Sequence, residues 1–115
     1  MQTEASIREE EISSLLEVEG EIVGFMRLLH SKTPLCYAQA SDQFTMIHAH
    51  AAWTDLAPLA SIADVVWSKL TPADTGAQMS LDERAFVRKQ MMTYKFLLHR
   101  LMGDYQDEID AAMAS

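Results

Sequence analysis

The chain predicts an all-α fold, a bundle of three to four helices with a long C-terminal helix. Three observations carry that expectation. Only 4 Gly and 3 Pro punctuate 115 residues, so long regular elements should dominate, because these two residues are the main interrupters of helices. Ala, Leu, Met, Glu and Gln, all strong helix formers, recur throughout. No segment alternates apolar and polar side chains at the period of a strand, and no Asn-Gly or Asp-Gly hairpin turn occurs.

The first helix is expected to start at Ser6. Ser6-Ile7-Arg8-Glu9 has the spacing of a capping box, in which hydroxyl and carboxylate satisfy free backbone N–H groups. Glu9, Glu10 and Glu11 then sit against the positive end of the helix dipole. Ile12, Leu15, Leu16, Val18, Ile22, Val23, Phe25, Met26 and Leu29 cover about half the circumference at about 100° per residue. Lys32 should close the helix, since Pro34 disfavours helical geometry at Thr33. Gly20 and Gly24 leave a shallow groove beside Leu28, at a cost to the helix of roughly 2 kcal/mol relative to alanine.

A second helix is expected from Thr33-Pro34, with Thr as N-cap and Pro at the first position, to about Leu56; a competing start lies at Ser41-Asp42. It carries apolar residues on two sides, Met46, Trp53 and Ala57 against Phe44, Ile47 and Ala51, as a central helix would. Trp53 and Trp67 are expected to anchor the core. Pro58 interrupts the run, and Asp55 is placed to cap a short third helix holding Leu59, Ile62, Val65, Val66 and Leu70. Residues 71–76, Thr-Pro-Ala-Asp-Thr-Gly, read as loop. Ser80-Leu81-Asp82-Glu83 repeats the capping-box pattern and opens the last helix.

That last helix, about Ser80 to Ala114, carries two apolar stripes. Val87, Met91, Tyr94, Leu98, Leu101 and Tyr105 alternate steps of four and three, the seam of a coiled coil or bundle. Met92, Phe96, His99 and Gly103 form a second stripe on the other side. Lys89 and Arg100 lie on one edge of it, and Arg84, Arg88 and Lys95 on the other. One stripe suffices to hold a small fold together; the second asks for a partner surface. Residues 84–100 hold five basic side chains and no acidic one, whereas residues 4–21 hold seven acidic ones and a single Arg8. Such blocks attract, within one molecule or between two. Each exposed pair is worth only about 0.2–1 kcal/mol, so the blocks would set register more than stability.

Composition narrows the function classes. At this length the chain is expected to form a single helical domain, residues 1–115, and 49% hydrophobic residues are enough for a core. The net charge of −8 repels nucleic-acid phosphates and anionic membranes, so neither is expected as a partner. No apolar run approaches the about 18 residues of a membrane span. Cys36 is the lone cysteine and has no internal disulfide partner, which with the acidic N-terminal residues points to the cytoplasm.

Catalytic and cofactor chemistry finds little support. There is no phosphate-binding glycine loop and no serine elbow. Cys36 beside Tyr37 lacks a local catalytic signature. His48 and His50 are about 200° apart on a helix and do not share a metal ion. No cofactor, metal or catalytic residue is therefore assigned.

The expected function is that of a small acidic protein-binding or assembly protein, an adaptor or chaperone-like subunit acting as a homodimer or larger homo-oligomer. Its interface would be Lys89, Met92, Phe96, His99, Arg100 and Gly103. In size and charge alone the chain resembles small acidic chaperones of secretion systems and small phage-encoded accessory proteins. Two alternatives stand beside this reading. One is an acidic mimic of nucleic acid that inhibits a basic protein through Glu9, Glu10, Glu17 and Glu21. The other is a metal- or ligand-binding bundle built on His30, His48, His50 or His99.

Overall fold

The computed structural model describes residues 4–54 and 56–114. Four helices follow in order: α1 Glu4–His30, α2 Tyr37–Thr54, α3 Ala57–Leu70 and α4 Leu81–Ala114. There is no strand among the described residues beyond one isolated bridge, Cys36 to Gln78. The expected all-α bundle with a long last helix is what the chain forms. The helices make a ring, with α1 against α2 and α4, and α3 against α2 and α4.

Side-chain contacts fix the direction of packing. Arg88 donates to His30 Nδ1 at 3.0 Å, and His99 meets Glu19 at 2.8 Å. Eleven residues forward on α4 are eleven residues back on α1, so the two helices run antiparallel in constant register. At about 1.5 Å per residue the 34 residues of α4 span about 51 Å. That is close to the 55 Å length of the whole molecule. The shorter α2 and α3 cover only part of this rod. Beyond them α1 and α4 continue as a pair, where Ile109 is buried apart from the main core.

The core is drawn from one face of each helix. Ile22, Phe25 and Leu29 of α1 meet Phe44 and Ile47 of α2, Val66 and Leu70 of α3, and Val87, Met91, Tyr94 and Leu98 of α4. Phe44 sits at its centre, with ring centroids 5.4 Å from Phe25 and 6.4 Å from Trp67. Each fully buried aromatic or aliphatic side chain contributes about 1.5–3 kcal/mol, and this face holds the bundle together. The α4 seam read from the sequence is therefore a core seam: its first four members are fully buried, and Leu101 and Tyr105 pack at its edge.

Several local expectations change. α1 ends at His30 rather than Lys32, and α2 starts at Tyr37 rather than at Thr33-Pro34 or Ser41. The reason is a clasp between two loops far apart in sequence. Tyr37 N donates to Ala77 O, Ala38 N to Thr75 O and Met79 N to Leu35 O, at 2.8–3.1 Å. The N–H groups that begin α2 are thus satisfied by the α3–α4 loop, and the Thr-Pro start signal is overruled. Ser80 caps α4 as expected, accepting from Glu83 N at 3.1 Å. The Glu83 carboxylate does not complete the box; it accepts a hydrogen bond from the Tyr37 hydroxyl. α3 begins after Leu56, with no side-chain cap and with Pro58 in its first turn. α1 begins at Glu4, ahead of the expected start, so Ser6 lies inside the helix rather than at its N-cap; the Asp55 cap falls outside the described residues.

Two expected roles are overturned. Trp53 is not a core anchor: it is 70% exposed, as Met46 on the same side of α2 is 64% exposed. Only the Phe44, Ile47 and Ala51 side of α2 faces inward, so α2 is not a central helix. Arg84 is not a rim residue: it is only 6% exposed, and its guanidinium donates at 2.8 Å to Ser31 O and to Thr33 O. It places a cation on the carbonyls just past α1, where the helix dipole favours positive charge.

Candidate interaction surfaces

α1 is the shared edge of two outer walls, and the antiparallel register decides what each displays. On the α4 side, Met92 and Phe96 are 60% and 66% exposed, and His99 and Gly103 are exposed with them. α1 adds Met26, which lines a cleft with Met92, Lys95, Phe96 and His99, and Met26 and Lys95 also line a neighbouring cleft with Val23. That neighbouring cleft is basic, with Arg27 and His30 from α1 and Arg88 and Lys95 from α4. Nothing lies within 4 Å of a Cβ built on Gly103, so the surface there is open. Lys89 is exposed on the other edge, and Arg100 lines a separate cleft with Leu56, Pro58, Leu97 and Asp104. All six residues expected at the interface are therefore exposed on α4. Sequence reasoning missed the α1 half of this wall, because Val23 and Met26 belong to the broad apolar arc that reads as core.

On the α2 side, a second groove is lined by Ser14, Glu17, Val18 and Glu21 of α1 and by Met46, Ala49, His50 and Trp53 of α2. Here the rim is acidic. The groove follows from helical periodicity: Met46, Ala49, His50 and Trp53 fall at i, i+3, i+4 and i+7, one side of α2. That spacing is visible in the chain, but a Trp at its end argues for an inward side. Gly24 lies where α1 and α2 approach, with a built Cβ 3.7 Å from Gln43, and Gly20 faces open space. The glycine pair therefore makes no single docking groove.

The charge blocks are offset along the rod and overlap only near His99 and Glu19. Residues 84–100 of α4 lie beside the second half of α1, which itself carries Arg27 and His30. Residues 104–110, with Asp104, Asp107 and Asp110, lie beside the acidic first half of α1. The rod is polar along its length, and the His99–Glu19 contact marks the boundary.

The histidines are dispersed. His30 accepts from Arg88, His48 stacks on Trp67 at 4.8 Å and meets Asp64, His50 meets Ser14 at 3.2 Å, and His99 meets Glu19. Among the described residues, no three His, Cys, Asp or Glu side chains converge to hold a metal ion. Cys36 is half-buried beside the start of α2 as a free thiol.

Burial lowers the His50 pKa below its ordinary value, and its Nδ1 is buried without a partner. The hydrogen bond to Glu83, then burial and the charge of the same carboxylate, push the Tyr37 phenol up to about 12. Burial alone pushes Tyr94 up to about 12, and its hydroxyl is also unpartnered. These tyrosines hold the fold and stand apart from both grooves. No helix of the described residues is long and apolar enough to cross a membrane.

Compared with known protein families, curated proteins and solved structures, the chain matches none.

Proposed function

We propose that this is a small acidic assembly protein, an adaptor or chaperone-like subunit of the cytoplasm, which binds protein as a homo-oligomer and performs no catalysis. The observation that carries the reading is the exposure of Phe96 and Met92 in a groove shared by α1 and α4, far from the seam that holds the fold together. An aromatic ring on a solvated helix face adds nothing to the core, and contiguous apolar surface with a polar rim is the usual mark of a contact site. The contact set is Lys89, Met92, Phe96, His99, Arg100 and Gly103. Light scattering tests it. The wild type should exceed the mass of one chain, and Phe96→Glu should lower that mass with helicity unchanged by circular dichroism. Unfolding of the variant would place Phe96 in the fold and end the reading.

A second reading, an acidic mimic of nucleic acid, draws on the exposed Glu17 and Glu21, one turn apart on α1. It requires a basic protein partner and binding that falls steeply with salt. A salt-insensitive complex would exclude it.

A further inference from the structure

Two grooves on one molecule each expose apolar side chains the fold does not use, and their rims have opposite charge. The α1/α4 groove presents Met92 and Phe96, with Arg88 and Lys95 along one edge. The α1/α2 groove presents Met46 and Trp53 beside Glu17 and Glu21. Ala49, between Met46 and Trp53, leaves a hollow where a larger side chain would stand. A partner for the acidic groove must bring an aromatic or aliphatic knob flanked by cations one turn away. The Phe96 stripe of this same chain has that composition and spacing.

We propose that the occupant of the acidic α1/α2 groove is the α4 stripe of a second copy, so that the protein assembles head to tail through two different surfaces. This rests on the reading of the stripe as a self-association surface and specifies what it meets. The alternative of stripe against stripe about a two-fold axis is less favourable on two counts. An axis centred on Phe96 sets Lys95 against its own symmetry mate, and like charges across an interface oppose docking. It also leaves Trp53 bare, whereas the head-to-tail contact covers both apolar surfaces with one kind of interface and pairs carboxylates with cations. Trp is among the residues that most often carry binding energy when desolvated at the centre of a contact. Because both walls share α1 as an edge, one molecule engages two neighbours, and the contact repeats until it closes into a ring or grows as a filament.

The test is complementation between two variants of the full chain. The wild type should gain mass with concentration at about 0.1 M salt and lose it when salt screens the rims. Phe96→Glu, which keeps only the groove, and Trp53→Glu, which keeps only the stripe, should each be monomeric, with self-association at least about tenfold weaker. Mixed in equal amounts they should form a complex of two chains and no more, since each supplies one intact wall. If Trp53→Glu self-associates like the wild type while Phe96→Glu does not, the contact is two-fold and the proposal falls, although self-association through the stripe stands. A mixture that stays monomeric also overturns it. A wild type that is monomeric at all concentrations overturns both the proposal and the homo-oligomer reading. Should either variant lose helicity, the charge reversals Arg88→Glu/Lys95→Glu and Glu17→Lys/Glu21→Lys replace them. Each should be monomeric alone, and the mixture should associate beyond two chains, because the acidic stripe of one also fits the basic groove of the other, so a mixture that stays monomeric overturns the proposal.

Discussion

The two walls of α1 are built from the same helix and differ in sign. The wall shared with α2 takes Glu17 and Glu21 from the middle of α1, and the wall shared with α4 takes Arg27 and His30 from its end. The helix sorts its charge along the axis, and its two neighbours reach different stretches of it. Charge blocks on a helix therefore say little about a surface until the register of the neighbours is known. In this chain the acidic half of α1 and the basic half of α4 are offset in the antiparallel register, and they meet near His99 and Glu19.

The sharpest way to break this comparison is to ask whether the exposed rings belong to the walls or to the core. Phe44→Ala, at the core side of α2, should cost about 3–5 kcal/mol in urea unfolding. Trp53→Ala on the same helix and Phe96→Ala on α4 should stay within about 0.5 kcal/mol of the wild type. Comparable losses at all three would merge the walls with the core.

A smaller contrast separates two arginines one turn apart. Arg84→Ala removes the donor shared by two backbone carbonyls and should cost about 2–3 kcal/mol. Arg88→Ala, on the basic rim, should cost under about 1 kcal/mol. Equal costs would mean that the rim is structural. Between the walls, Tyr94→Phe should raise stability by about 1 kcal/mol, because it removes a buried hydroxyl without a partner. A loss on that substitution would show that the hydroxyl is satisfied in solution.

The smallest effect distinguishes the acidic groove by pH. His50 is held below its ordinary pKa by burial. The unfolded chain therefore takes up the proton first as pH falls below about 6.5. Its neutral form adds stability above that pH, and this is lost as pH falls through the folded value. His50→Gln should flatten the fall in melting temperature between about pH 7 and pH 5 relative to the wild type. Identical slopes in the two proteins would remove His50 as the source.

The helices and the α4 stripe are legible in the sequence, because a single periodicity of about 3.6 decides both and the clean break between Met91 and Met92 shows on one wheel. The α1/α2 groove is not. Met46 and Trp53 share a helix with Phe44 and Ile47, and no local rule says which side of a two-sided helix turns inward. The bulk of Trp53 argues for the core, and bulk does not settle burial. The start of α2 is hidden for a related reason: its first N–H groups are met by carbonyls about forty residues away, a partner no local window contains. A helical wheel puts Arg84 at the rim because it knows nothing of the Ser31 and Thr33 carbonyls beyond the end of α1.

The loop clasp has a further consequence. The hydrogen bonds among residues 35–38 and 75–79, with Arg84 beneath them, tie one end of the rod, while the α1/α4 extension at the other end has no covering helices. Opening should therefore spread in one direction. The amides of Tyr37, Ala38 and Met79 would be the last to take up deuterium, and those in the final turns of α4 the first.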